Sequence, residues 1–345
     1  MEKTNLIYGK METGKTKFLL EETSKMINNN ENILFLDLKE EYYKKYSQKL
    51  KEEGYNVVVI NLKNPLQSNN YNPFSLPYYY YKNNELDKAV ELINMISNRI
   101  FSEDNSEVDP FWQETSSSLF SSLTLLTFKE APKEEVNLGS ISLGIDLVNK
   151  YTLLRNYYDK LSPIDPIYIL GSTTIYSPTD TRGSIVSVSK NKIRNYILKP
   201  NLLQLLGSTN FELKDKTAIF IIPKENDKEL NNIANILIEQ LIYVIKQHNL
   251  KYNLILDNID FINKINSLEE LINLAYNNIT LFVATRDLNK TIKLYSKEVI
   301  DNILNVIELK ERINYNIENN ELSYPKLKEE VKYFNIEEFL NKGYL

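Results

Sequence analysis

Two glycines, a lysine and a threonine near the start of the chain have the spacing of a phosphate cradle. Gly9-Lys10-Met11-Glu12-Thr13-Gly14-Lys15-Thr16 reads G-x-x-x-x-G-K-T. Each fixed type has a physical task. The glycines let the backbone curl so that its N–H groups face phosphate oxygens. Lys15 sets a charge against the β- and γ-phosphates, and the Thr16 hydroxyl is suited to ligate Mg²⁺. The flanks give the required setting. Thr4–Tyr8 reads as a short buried strand, and Lys17-Phe18-Leu19-Leu20 opens a helix whose N-terminus faces the anion. Only 9 of 345 residues are glycine, and two stand at the required positions, so chance produces this pattern less readily than usual. Glu12 is the odd member of the cradle. A carboxylate aimed at a triphosphate would repel it, so Glu12 must point outward or pair with a cation.

Such a loop needs an acidic residue at the end of a neighbouring strand to hold Mg²⁺ through water. The run Asn253-Leu254-Ile255-Leu256-Asp257 supplies one, making Asp257 the candidate metal residue. Hydrolytic proteins of this class usually place Glu next, to polarise the attacking water. Here the residue is Asn258, whose amide can hold a water but cannot take its proton. General-base assistance worth ~10²–10⁴-fold is therefore in question. Asp260, two residues on, could serve instead if the strand end bends, but reads first as a helix N-cap or solvated turn residue.

Composition removes other chemistries. There is no cysteine, so disulfides and thiolate metal sites are excluded. His248 is the single histidine, which leaves no His cluster for zinc and argues against a Ser-His-Asp arrangement. It follows an apolar helix and reads as a helix-end residue. A net charge of −5 argues against a generic nucleic-acid coat, although a local basic lining remains compatible with it. No signal peptide or membrane-length apolar run is evident, so a cytoplasmic chain is expected.

The elements that must position these residues alternate. Short continuous apolar runs at Ile33–Asp37, Val57–Leu62, Thr217–Ile222, Tyr252–Asp257, Thr280–Ala284 and Asn305–Leu309 read as strands buried on both faces. Helical patterns at Glu40–Glu53, Glu229–Gln247 and Ser267–Tyr276 lie between them, which implies an α/β fold with a mostly parallel sheet. Between Asn83 and Lys214 the pattern turns helical, at Glu85–Phe101, Phe111–Phe128, Ile141–Asn149 and Ser184–Ile197. The expected organisation is a nucleotide-binding domain of residues 1–82 and 215–312, a mainly helical insertion of residues 83–214, and a C-terminal tail of residues 313–345 with one helix at Pro325–Tyr333. The Tyr78–Tyr81 cluster belongs to the connection, with packing preferred over base stacking.

Taken in order, these segments resemble the type IV coupling proteins, the TraG/TraD-like ATPases of conjugation and type IV secretion within the FtsK–HerA group of motors. Asp37-Leu38-Lys39-Glu40 stands where such proteins carry an Asp-Pro-Lys-Gly-Glu-like motif. Gly54 to Pro65, followed by Tyr71-Asn72-Pro73-Phe74, is similar to their "GY-V-V-N…P…WNP" stretch. Asp109-Pro110-Phe111-Trp112 opens a helix, Thr181-Arg182-Gly183-Ser184-Ile185 precedes another, and Phe220-Ile221-Ile222-Pro223 leads to the long helix with Glu239-Gln240-Leu241. The likeness covers residues 4–309 at low identity.

The resemblance implies a RecA-like P-loop NTPase domain with an inserted all-α domain, using ATP and Mg²⁺. It also implies a homo-hexameric ring acting on DNA or a nucleoprotein, with a neighbour's arginine reaching the γ-phosphate. Arg182 and Arg194 are the candidates for that arginine, set against surface salt bridges as the plain alternative. Family members usually carry N-terminal transmembrane helices. Without them, recruitment to the inner face of the membrane would fall to a membrane-anchored secretion or conjugation partner. Where the family commonly has Gln after the Thr280–Ala284 strand, this chain has Thr285-Arg286, and Arg286 could meet phosphate by charge. Two readings follow: an ATPase coupled to DNA transfer, or a nucleotide-binding assembly module with little hydrolysis. A small-molecule kinase is disfavoured by the large helical insertion.

Overall fold

The computed structural model describes residues 4–101, 109–274, 278–303, 305–310, 325 and 331–342. Seven strands form one parallel sheet: β1 (Thr4–Tyr8), β2 (Ile33–Leu36), β3 (Asn56–Asn61), β4 (Thr217–Ile222), β5 (Tyr252–Leu256), β6 (Ile279–Thr285) and β7 (Asn305–Glu308). Their order is β3-β4-β2-β5-β6-β1-β7. Every expected strand is present. Successive side chains of a strand point to opposite faces, and all residues of β2, β4 and β5 are buried, so both faces of the central sheet are covered. That is why their sequences are continuous apolar runs rather than alternating ones.

Parallel neighbours require long crossovers, and helices Lys15–Asn28, Glu41–Glu52 and Lys228–Gln247 provide them. Phe35 of β2 stacks on Phe220 of β4 with ring centroids 4.6 Å apart. Tyr42, Tyr43 and Tyr46 of helix Glu41–Glu52 join the same core. Each such ring, once buried, contributes on the order of 1.5–3 kcal/mol. The outer edge of β3 is also closed. Asn69 exchanges hydrogen bonds with the Val59 backbone, and Ser68 Oγ accepts from Asn61 N. The Ser68–Asn69 loop thereby occupies an edge that another chain could otherwise pair with.

The chain forms two compact units, Met1–Asn69 with Phe211–Lys326, and Asn70–Asn210 with Leu327–Leu345. This differs from the expected boundaries in two ways. Helix Ser75–Lys82, which carries the tyrosine cluster, belongs to the second unit, where Tyr78 and Tyr81 meet the Phe128 ring edge-on and Tyr80 is buried. Residues 331–342 of the expected tail pack within the second unit. Phe334 N donates to Ser140 Oγ at 2.7 Å, Asn137 Nδ2 donates to Lys332 O at 2.6 Å, and Ile336 is fully buried. Its helix is Ile336–Asn341, whereas Val331–Tyr333 has no regular structure. The rest of the helix expected over residues 325–333 lies outside the described residues apart from Pro325, and so does Tyr276, the expected end of the helix found at Asn266–Leu274.

Every regular element described in the second unit is helical. Helix Pro110–Glu130 is its axis, buried from Thr115 to Phe128 except at Ser118. Six small hydroxyl residues, Ser116, Ser117, Ser121, Ser122, Thr124 and Thr127, let neighbours approach closely. Each finds a partner, such as Ser121 Oγ on Ser97 Oγ at 3.0 Å, so their burial leaves no orphaned hydroxyl. Asp109 and Asp165 both precede proline and accept the N–H two residues on, which starts helices Pro110–Glu130 and Pro166–Ile175.

Register decides what meets at the sheet's rim. Tyr8 lies opposite Thr285, Leu256 opposite Val283, and Leu36 opposite Leu256. The next residues, Gly9, Arg286, Asp257 and Asp37, therefore leave the sheet at nearly the same level. Gly9 is confined there. A Cβ on it would sit 2.3 Å from Leu309 O and 2.6 Å from Thr13 Oγ1. We expect Gly9→Ala to lower stability by about 1–3 kcal/mol, through overpacking against a sheet backbone that cannot withdraw. Thermal melts followed by circular dichroism check this; an unchanged melting temperature would show that the loop yields freely.

Candidate nucleotide-binding site

The loop after β1 is built from alternating backbone hands. Glu12 and Gly14 take left-handed conformations with φ of 63° and 85°, and helix Lys15–Asn28 starts directly after. Such alternation turns successive N–H groups toward one point. Thr13 Oγ1 donates to Lys10 O at 2.9 Å and braces the curl. Lys15 is buried, and its Nζ donates to the loop's own carbonyls, Gly9 O at 2.6 Å and Lys10 O at 2.7 Å. An incoming phosphate would offer Lys15 stronger, charged acceptors. Met11 and Glu12 are exposed, so the Glu12 carboxylate stands outside the curl, as its charge requires.

Across the rim, Asp257 is buried at the end of β5. Its Oδ2 accepts from Thr16 Oγ1 at 3.2 Å and from Tyr42 OH at 3.1 Å. Its Oδ1 is buried and has no hydrogen-bond partner. An orphaned carboxylate oxygen beside a threonine hydroxyl is a donor set that suits a hard divalent cation taking oxygen ligands. No group of three or more His, Cys, Asp or Glu able to hold a metal occurs among the described residues. The pair therefore fits Mg²⁺, which keeps waters and takes phosphate oxygens, better than a metal caged by protein alone.

Charge at the rim is poorly solvated. Burial, with the Glu41 charge adding to it, pushes the Asp257 carboxyl up to about 6 against the hydrogen bonds from Tyr42 and Thr16. Burial likewise pushes Asp37 up to about 7, although the Tyr43 and Tyr42 N–H groups that it caps pull the other way. Lys15 is lowered by burial, opposed by Asp257 and reinforced by Arg286. Asp37 and Tyr42 are site-forming residues that sequence reasoning did not assign. Asp37 stood in the quoted family motif, whereas nothing in the sequence marked Tyr42.

Strand β6 lies between β1 and β5 and carries its C-terminal residues into the gap between loop and Asp257. Arg286 Nε donates to Asn258 Oδ1 at 2.8 Å, and the guanidinium lies 4.5 Å over the Phe261 ring. Asp260 is neither a helix cap nor a solvated turn residue. It is buried, and its Oδ1 accepts from Thr285 Oγ1 at 3.1 Å and Arg286 N at 3.2 Å, clamping the turn after β5 to the end of β6.

The structure thus joins Gly9–Thr16, Asp257 and Arg286 in one unit. Arg182 and Arg194 belong to the helical unit. Arg182 corrects an expectation. It is 6% exposed and donates to Ser177 O at 3.0 Å, holding the start of helix Thr179–Ile197 rather than reaching outward. Arg194 is exposed on the same helix.

The raised carboxyls set a sign for stability. A carboxyl whose pKa is higher folded than unfolded keeps its proton better in the fold, so stability falls as pH rises from about 4 to 7. Asp37→Asn retains an acceptor for the Tyr43 N–H and removes the charge. The nucleotide-free variant is expected to be more stable than wild type at pH 8, by on the order of 2–4 kcal/mol, with the gain vanishing toward pH 4. Denaturant unfolding at several pH values reads this; a pH-independent difference would exclude the Asp37 charge as the cause.

Comparison with known proteins agrees with this architecture. The family described as Type IV secretory system Conjugative DNA transfer matches residues 23–334. That match begins after the phosphate loop, so loop and family are separate observations. No curated protein matches the chain by sequence. Among solved structures, the bacterial conjugative coupling protein TrwBdeltaN70, in its trigonal form with sulphate, superposes with a TM-score of 0.60 at 8% identity, over 90% of this chain and 71% of that one. The plasmid coupling protein TrwB in complex with ADP and Mg²⁺ gives 0.59 at 9%, over 87% and 68%. VirB4 of Thermoanaerobacter pseudethanolicus gives 0.53 at 11%, over 88% and 76%. At such identities these likenesses speak for the RecA-like fold. The family match spans most of the chain, and the parallel sheet agrees with it: the chain belongs to the type IV secretory system conjugative DNA transfer family.

Proposed function

We propose that this chain binds Mg·ATP and couples that binding to the handling of DNA or a nucleoprotein in conjugative transfer. The observation that carries the reading is the contact of Thr16 with Asp257 at the mouth of an intact phosphate loop, with Asp257 Oδ1 left unsatisfied. Gly9–Thr16 would cradle the phosphates, Lys15 would neutralise them, and Thr16 and Asp257 would hold Mg²⁺, directly or through its waters. The metal supplies charge neutralisation of the phosphate tail. TrwB structures with ADPNP and with ADP and Mg²⁺ support the same assignment by fold. DNA as substrate rests on the family. Among the described residues no helix is long and apolar enough to cross a membrane. If a secretion or conjugation partner recruits the chain to a membrane, the contact would be through protein. Of the two arginines expected to act in trans, Arg194 is the exposed one, and it would be the residue available to a neighbour within a ring.

A second reading, an assembly module that binds ATP and hydrolyses it slowly, is favoured by Asn258. Its side chain is spent on Arg286, and its backbone is left-handed with φ of 57°. Asparagine tolerates that conformation, whereas a longer side chain pays roughly 1–2 kcal/mol. Restoring a carboxylate there would also place it on the Arg286 cation instead of on a water.

Three measurements test these readings. Titration calorimetry is expected to show Mg·ATP binding that Lys15→Ala weakens by at least about tenfold; equal heats for both proteins would refute the site. Glu12→Gly, which removes a like charge and a left-handed non-glycine residue, is expected to tighten binding roughly two- to fivefold. Turnover assayed with and without single-stranded and duplex DNA separates motor from module. Asn258→Glu alone is expected to stay within about threefold of wild type, far below the ~10²-fold that a working base would supply.

A further inference from the structure

We propose that Arg286, positioned by Asn258, is a γ-phosphate ligand supplied by the nucleotide's own subunit, making this site one that distinguishes a nucleoside triphosphate from a diphosphate by charge rather than by hydrolysis. This deepens the nucleotide-binding reading and rests on it.

Four observations converge. The guanidinium is fixed on two sides, by its Nε–H···Oδ1 bond to Asn258 at 2.8 Å and by the Phe261 ring 4.5 Å beneath it. Its backbone is fixed as well, since Arg286 N donates to the buried Asp260 carboxylate at 3.2 Å. Neither Nη has a hydrogen-bond partner among the described residues, so the forked face of the side chain is uncommitted. The sheet order then sets the direction of use. Arg286 follows the strand that lies between the phosphate-loop strand and the Asp257 strand, and its charge is felt at Lys15.

A planar fork held rigid at one nitrogen and open at two is suited to bidentate recognition of a phosphoryl group. Asn258 is apt as the tether because it is neutral. A carboxylate would hold the guanidinium more tightly but cancel the charge that it offers. The local backbone agrees, since a left-handed position with φ of 57° accepts asparagine more readily than a longer acceptor side chain such as Gln or Glu. Asn258 and Arg286 thus form one device, and their departures from the family's usual Glu and Gln are two halves of a single change.

The test compares affinities for Mg·ADPNP and Mg·ADP by titration calorimetry, which removes turnover from the readout. Arg286→Gln, which keeps a polar stem over Phe261, is expected to weaken ADPNP roughly 10- to 100-fold while changing ADP by less than about threefold. Arg286→Lys should recover part of the loss, because it restores the charge without the fork. Asn258→Asp should weaken ADPNP more than Asn258→Ala does. The double variant Asn258→Ala/Arg286→Gln should bind ADPNP no more weakly than Arg286→Gln alone, since the tether acts only through the arginine. Equal loss of both nucleotides in Arg286→Gln, or no loss of either, overturns the proposal while Lys15-dependent ADP binding leaves the parent reading intact. Absence of Lys15-dependent binding in wild type sinks both.

Discussion

The structure around the site depends on a buried carboxylate that the protein only half satisfies. One oxygen of Asp257 takes hydrogen bonds from Thr16 and Tyr42, and the other takes none. Leaving an acceptor unpaired in a dry interior costs on the order of 1–3 kcal/mol, more when the group is charged. The fold carries that cost because β5 and its neighbours are tightly packed, with Leu254, Ile255 and Leu256 fully buried behind the carboxylate. The group cannot retreat into the sheet and cannot turn to water. A cation at the mouth of the loop is what would relieve it.

The same constraint explains the neighbouring chemistry. Asp37 leaves β2 level with Asp257, so two buried acids share one rim, and burial raises both. Asp37 spends its charge on the first turn of helix Glu41–Glu52, which is also the helix that delivers the Tyr42 hydroxyl to Asp257. One short segment thus links a helix start, a core of stacked aromatic rings and the buried Asp257 carboxylate. On the other side, Asp260 ties the turn after β5 to the end of β6, and Asn258 ties it to Arg286. The rim is pre-organised on both sides of the phosphate loop, a state that lowers the ordering needed when a ligand arrives.

The helical unit solves a different problem. Its axial helix is buried through its centre, yet that stretch is rich in serine and threonine rather than leucine alone. Small side chains permit close helix approach, and each buried hydroxyl is satisfied by a carbonyl or a neighbouring hydroxyl, so the polarity is tolerated. Arg182 shows how that unit uses charge: its guanidinium closes the start of helix Thr179–Ile197. A residue that looked like a trans-acting arginine by its place in the sequence is consumed locally.

The phosphate loop, the seven strands and the parallel class were legible without coordinates, because each rests on local pattern. Glycine spacing sets the loop, and a strand covered on both faces must be a continuous apolar run. Asp257 was legible for the same reason, as the first polar residue after such a run. The helices at Tyr151–Tyr158 and Pro166–Ile175 were not read from the sequence, although the Asp165-Pro166 start was there to be seen. Nor was the return of residues 331–342 to the helical unit legible, since that rests on contacts almost two hundred positions away in sequence, such as Phe334 with Ser140. Only the tertiary structure decided which side chains pair at the rim. Strand register, which no local pattern encodes, puts Tyr42 on Asp257, Asp260 on Thr285 and Arg286 on Asn258. Residue types set what chemistry was available; the alignment of strand ends set which groups reached one another to use it.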